Sequence, residues 1–171
     1  MKRRILLQAL GLSAIATRGY TANIDAAARF THGIASGDPL SDRVILWTRV
    51  IPQRANDTLT VFWQVATDQG FARLAASGQS TVSADSDYTV KVDAAGLQPD
   101  QRYFYRFNAL GVSSATGTTK TLPAGLATKF TMGVASCSNF PQGFFNAYRH
   151  MAESDLDLVL HLGDYIYEYP E

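Results

Sequence analysis

The sequence predicts an all-β sandwich followed by the first strand–helix–strand unit of an α/β domain. Three observations carry that reading. Between Phe30 and Leu122, short runs rich in Val, Ile, Thr and aromatics alternate with turn residues, and no long helical pattern interrupts them. Within that stretch Leu97, Pro99 and Tyr103 have the L-x-P-x-x-x-Y spacing of a tyrosine corner, in which a phenol bonds the backbone upstream of it. After Lys129 the period changes, giving a strand, a helix and a second strand in turn.

Residues 1–22 read as an export signal. Lys2, Arg3 and Arg4 precede an apolar stretch from Ile5 to Ala16 that Gln8, Gly11 and Ser13 interrupt, and small and polar residues follow. A run of about twelve apolar-biased residues is shorter than the ~20 a membrane span needs, so no stable span is expected. The arginine pair followed by Ile5, Leu6 and Leu7 resembles a twin-arginine signal. A plain secretory signal also opens on Lys and Arg, and an amphipathic leader or lipid-proximal anchor is the bland alternative. Export by either route implies a periplasmic, cell-surface or secreted protein.

Residues 30–122 form the predicted sandwich. "GIASGDP" places Ser36, Asp38 and Pro39 in a turn with an Asx-type cap. Ser36 lacks the G-x-S-x-G spacing of a nucleophile elbow. Strands are expected over Arg43–Val50, Leu59–Asp68, Tyr88–Ala94 and Arg102–Leu110. Tyr103, Tyr105 and Phe107 share one face by the two-residue period, and with Trp47 and Trp63 they are read as core rather than as a ligand platform. The architecture is that of a fibronectin type III-like or immunoglobulin-like module. Residues 123–128, with Pro123 and Gly125, read as a linker.

Residues 129–171 open the second domain. "KFTMGVAS" is a short buried-strand pattern, Phe144, Phe145, Tyr148, Met151 and Ala152 fall at helical spacing, and "DLDLVLHLGD" is a second apolar strand. Parallel strands joined by a right-handed crossover end at the same edge of their sheet, which is where open α/β sheets build their sites. Composition narrows the partners. The 171 residues carry 15 basic and 15 acidic side chains, and no basic cluster follows the first few residues, so specific nucleic-acid recognition is not expected. The single cysteine, Cys137, has no internal disulfide partner and is free for other chemistry.

Cys137, Ser138 and Asn139 follow the first of the two strands, and Gly163, Asp164 and Tyr167 follow the second. Gly163 allows a sharp turn that aims Asp164 outward. A phenol with a pKa near 10 ionises readily beside a strong Lewis acid, and thiolate and phenolate offset high charge, so trivalent iron suits this donor set. Zinc sites prefer Cys/His sets with C-x-x-C spacing, which this sequence lacks. A cysteine-nucleophile phosphatase would need an arginine six positions after Cys137, where Gly143 stands. Taken singly, a lone cysteine is more often a small core residue than a ligand. Tyr165 and Tyr169 are read as packing or rim residues and His161 as a hydrogen-bonded core histidine. His150 is placed at the helix end and His32 in the sandwich.

"FTHGIASGDPLSDRVILWTRV", "ASCSNFPQGFFNAY" and "LVLHLGDYIYEY" together resemble the PhoD-type alkaline phosphatase family, exported phosphomonoesterases and phosphodiesterases with an N-terminal sandwich and a metallophosphoesterase domain. "GDYIY" is also similar to the G-D-x-x-Y motif of purple acid phosphatases. The resemblance implies that Asp164 bridges two metals, that Cys137 and Tyr167 bind Fe3+, and that Ca2+ is the companion ion. Asn139 falls where simpler metallophosphoesterases have the histidine of a D-x-H pair. No side chain is then a covalent catalyst, because two cations clamp the phosphoryl oxygens of a phosphoester and activate water.

Three good ligands are too few for a two-metal centre. The resemblance therefore implies an N-terminal fragment of a longer enzyme, inactive alone, with residues past about 128 poorly ordered or packed against the sandwich. The alternative is a non-catalytic extracytoplasmic sandwich module, binding or structural, with a vestigial catalytic tail.

Overall fold

The computed structural model describes residues 30–52, 54, 57–141, 143–167 and 169. The expected export signal at residues 1–22 lies outside the described residues. Strands β1 (Ile34–Gly37), β2 (Arg43–Arg49) and β5 (Thr89–Ala95) form one antiparallel sheet in the order β1-β2-β5. The second sheet runs β4-β3-β6-β7, from β3 (Leu59–Ala66), β4 (Leu74–Val82), β6 (Arg102–Ala109) and β7 (Val112–Ser113). Strand β8 (Gly117–Lys120) also pairs with β6.

Alternation along the strands decides which face turns inward. In β2, Val44, Leu46 and Thr48 are buried, while Arg43, Ile45, Trp47 and Arg49 lie on the outer face. In β6, Tyr103, Tyr105, Phe107 and Ala109 are buried together, on the shared face that the period predicts. They join Val44, Leu46, Val61, Val65, Val90 and Leu97 in one core between the sheets. Trp63 packs against this core, and its indole lies so close to Gly78 that a Cβ there would sit 2.6 Å from the ring. Trp47 corrects the expectation of a core tryptophan: its odd position in β2 turns it to the outer face, half-buried.

Three further expectations shift. Ser36 lies within strand β1, paired with Leu46, rather than in a turn, and the bend comes at Asp38, whose φ is +44°. Strand β4 has no counterpart in the expected strands. Its residues are mostly small or polar because it is an outer strand of its sheet, bonded to β3. The helix, α1 (Asn146–Glu153), begins later than the apolar spacing suggests. Phe145 sits at its N-cap in a left-handed conformation with no side-chain cap, and Phe144 is 91% exposed.

The tyrosine corner is formed. Tyr103 Oη accepts a hydrogen bond from the Gln98 amide at 2.7 Å, and Thr121 Oγ1 closes the same loop by donating to the Gln98 carbonyl at 2.6 Å. Tyr103 is 1% exposed, so its hydroxyl is the amide's only substitute for water there. Tyr103→Phe keeps the ring and strands that amide, for an expected loss of about 1–3 kcal/mol in urea unfolding. A loss near zero would mean that water reaches the corner.

Beyond the sandwich, β9 (Met132–Ala135) and β10 (Leu158–His161) pair in parallel, with Ala135 opposite His161, and α1 lies between them in sequence. No strand or helix occurs from Thr121 to Thr131. The β9–α1–β10 segment touches the sandwich through the ion pairs Arg102–Asp155 at 2.8 Å and Lys120–Asp157 at 2.6 Å. Lys120 also holds Asp100 at 3.1 Å, and Asp157 accepts from the Thr131 amide at 2.8 Å.

The Lys120 ammonium, followed by the Thr131 amide, holds the Asp157 carboxyl below the usual carboxylate range. A depressed folded pKa contributes stability that is present above the unfolded pKa and disappears as pH falls through the folded one. Acidification from about pH 7 to about pH 2 is therefore expected to lower the thermal midpoint more in the parent chain than in Asp157→Asn. Equal acid sensitivity would rule the contact out as a source of that stability.

Candidate metal centre

The parallel pairing of β9 and β10 continues past the strand ends and zips their two loops together. The Leu162 amide donates to Ala135 O at 2.9 Å, Cys137 to Gly163 O at 3.3 Å and Ser138 to Asp164 O at 3.2 Å. The Tyr167 amide donates to Ser138 O at 2.7 Å, the Phe140 amide to Tyr167 O at 3.1 Å, and Asn139 and Tyr167 form a parallel bridge. Because the strands are immediate neighbours, residues two and three positions beyond their ends meet. Cys137 and Asp164 both reach that meeting point through left-handed backbone, at φ +57° and +46°, and Gly163 before Asp164 has φ +109°.

The three side chains converge. Cys137 Sγ donates to Asp164 Oδ2 at 3.6 Å, and Tyr167 Oη donates to Cys137 Sγ at 3.9 Å, lengths suited to the large sulfur atom. Cys137 is exposed rather than buried in apolar surroundings. Hydrogen bonding to the Asp164 carboxylate holds the Tyr167 phenol well above its ordinary pKa, with burial and then the Cys137 thiol adding to the shift. The phenol is thus neutral as it stands, and its proton must leave before the oxygen can serve as an anionic donor. Asn139 joins the cluster through its backbone bridge to Tyr167.

The neighbouring aromatics sort as the sequence suggests. Tyr165 and Tyr169 are exposed at the rim, Tyr165 against the His161 ring at 4.9 Å and Tyr169 stacked on Tyr167 at 5.6 Å. His161 uses both ring nitrogens: Nε2 lies 3.0 Å from Tyr148 Oη, and Nδ1 accepts from the Gly163 amide at 3.3 Å. It is half-buried rather than fully in the core. His150 lies in the last turn of α1, and His32 is exposed beside Arg49, with Nε2 3.1 Å from Nη1. Ser138 and Tyr148, whose hydroxyls are hydrogen-bonded to each other, were not singled out for this role by the sequence. The usable signal was a tyrosine on an inward helical position, since a half-buried phenol needs a partner.

Among the described residues no group of three or more His, Cys, Asp or Glu is gathered. Cys137 and Asp164 supply two such side chains, and Tyr167 completes the set with a phenol. One soft thiol and two hard oxygen donors within hydrogen-bond reach of one another fit a trivalent iron by donor chemistry. Calcium takes about six to eight oxygens, and the described cluster holds one carboxylate, so these residues do not by themselves make a calcium site.

Comparison with known proteins covers both parts of the chain. The model of the PhoD-like phosphatase N-terminal domain matches residues 14–123, and that of the PhoD-like phosphatase itself matches residues 132–171. Alkaline phosphatase D of Bacillus subtilis (strain 168) is 45% identical over 148 residues, which make up 82% of this chain and 25% of that protein. A solved structure of PhoD matches with a TM-score of 0.77 and 44% identity, over 82% of this chain and 28% of that one. The chain thus spans about a quarter of the length of these relatives. With the N-terminal model alone spanning more than half of its residues, the chain belongs to the PhoD-like phosphatase family.

Proposed function

We propose that this chain carries the iron-binding part of an exported, metal-dependent phosphoester hydrolase, with Cys137, Asp164 and Tyr167 as ligands and Asn139 beside them. The observation that supports it is the meeting of thiol, carboxyl and phenol at the ends of two adjacent parallel strands, with Sγ 3.6 Å from Asp164 and 3.9 Å from Tyr167. Membership of a phosphatase family and likeness to an alkaline phosphatase point to phosphate esters as substrates. On this reading β9, α1 and β10 are the opening unit of a metallophosphoesterase domain that follows the sandwich. Export rests on Lys2, Arg3 and Arg4 before the Ile5–Ala16 apolar run.

When bound, a trivalent ion would supply a Lewis acid that polarises a phosphoryl oxygen. The chain's own part is to hold the donors ready. Asp164 accepts from the thiol and the phenol donates to that thiol's sulfur, so the three side chains are held in one hydrogen-bonded chain. The paired loops fix the three backbones against one another, so the donors are positioned before anything binds.

Titration of the purified 171-residue chain with ferric nitrilotriacetate tests the reading. One iron per chain with a visible phenolate-to-iron absorption band is expected, with no turnover of nitrophenyl phosphate mono- or diesters by this chain alone. A chain that takes up no iron and stays colourless would overturn the metal assignment. Turnover by this chain would overturn the expectation that the cluster is incomplete.

A further inference from the structure

Ser138, Tyr148 and His161 come from three different elements and form one hydrogen-bonded line beside the cluster. The Gly163 amide donates to His161 Nδ1 at 3.3 Å, which leaves the proton of the neutral imidazole on Nε2. Nε2 then donates to Tyr148 Oη at 3.0 Å, and the phenol and Ser138 hydroxyls are hydrogen-bonded to each other. The line runs from the turn that carries Asp164, through the ring of His161 and helix α1, to the loop that carries Cys137. The rings reinforce it: Phe145, Tyr148 and His161 stack in sequence, with centroids 5.8 and 6.3 Å apart.

The line ends on the residue where the loops are most tightly joined. Ser138 gives its amide to Asp164 O at 3.2 Å and takes the Tyr167 amide on its own carbonyl at 2.7 Å. Its neighbour Cys137 and the Asp164 opposite both occupy left-handed backbone, a conformation that non-glycine residues hold only where the surroundings over-determine it. A serine anchored on its main chain to Asp164 and Tyr167, and on its side chain to a helix, meets that condition.

We infer that the Ser138–Tyr148–His161 line is a positioning relay that holds Cys137 and Asp164 in the backbone conformations their convergence requires. The inference rests on the reading of the cluster as a metal centre and names the residues that set its geometry. They are positioning residues, not ligands, and act through the backbone of the two loops.

Amide hydrogen exchange on the metal-free chain and ferric nitrilotriacetate titration test it together. Tyr148→Phe removes one hydroxyl and keeps the stacked ring, Ser138→Ala removes the other, and Ser138→Thr retains it. Exchange at the Gly163 and Tyr167 amides is expected to accelerate at least about fivefold in the first two variants, with sandwich amides such as Leu46 and Val65 unchanged. Ferric affinity is expected to fall about 10- to 100-fold in the same two variants and to be restored in Ser138→Thr. Parent-like exchange and affinity in both Tyr148→Phe and Ser138→Ala would overturn the relay and leave the metal centre standing. Weaker iron binding with unchanged exchange would also overturn it, since the hydroxyl would then act on the ion rather than through the backbone. If the parent chain takes up no iron while exchange still accelerates in the variants, the metal reading fails and the relay is upheld.

Discussion

Tyr167→Phe is expected to abolish the visible absorption of the ferric chain and to weaken iron binding by more than about 100-fold, with the sandwich untouched. A thiol and a carboxyl remain after the substitution, but the phenolate responsible for the charge-transfer band is gone. Losing a residue that merely orients a ligand costs roughly 10- to 100-fold in metal affinity, so losing a ligand should exceed that range. The change removes a single hydroxyl from a ring stacked 5.6 Å from Tyr169, so packing is preserved. Absorption spectra of parent and variant at matched iron loading decide it, with urea unfolding as the control. A coloured variant would take Tyr167 out of the ligand set, whatever became of Cys137 and Asp164.

Phe107→Ala should be the most damaging single substitution in the sandwich, at about 3–5 kcal/mol in urea unfolding. Phe107 is 0% exposed, faces Trp63 across the β3–β6 pairing and meets the Tyr105 ring edge-on at 6.4 Å. Truncation leaves a ring-sized cavity whose walls are β-strands tied on both sides, so little collapse can fill it. Domains commonly keep only about 5–15 kcal/mol of net stability, which makes this loss a large share of the total. Leu110→Ala is the control: Leu110 is 58% exposed, and its truncation should change the midpoint little. Similar losses in the two variants would mean that the core does not lie where the burial pattern puts it.

The sandwich was legible where strands alternate large apolar residues with polar ones. β2, β3, β5 and β6 come within a residue or two of their expected ends, and the Leu97–Pro99–Tyr103 spacing forecast a hydrogen bond that the structure contains. β4 was illegible because an outer strand needs few large side chains. Ala75, Ala76, Ser77 and Gly78 lack large apolar residues, and Gly78 is small so that the Trp63 indole can lie over it. Trp47 was misplaced because size alone suggested burial, whereas its parity with Val44 and Leu46 put it outside. In the candidate site, Cys137, Asp164 and Tyr167 could be brought together from strand order alone, since parallel neighbours end at one edge. The relay could not, because which hydroxyl meets which ring depends on the placement of α1 over that edge, and nothing in a linear spacing encodes it.

The left-handed backbone at Cys137 and Asp164 sets a conflict between endurance and chemistry. Glycine occupies that conformation without the ~1 kcal/mol that a side chain adds, so a library screened for heat resistance alone would be drawn toward glycine at both positions. On the proposed metal reading, each such winner would give up a ligand. On that reading, engineering this chain for durability requires these two codons to be frozen before selection begins.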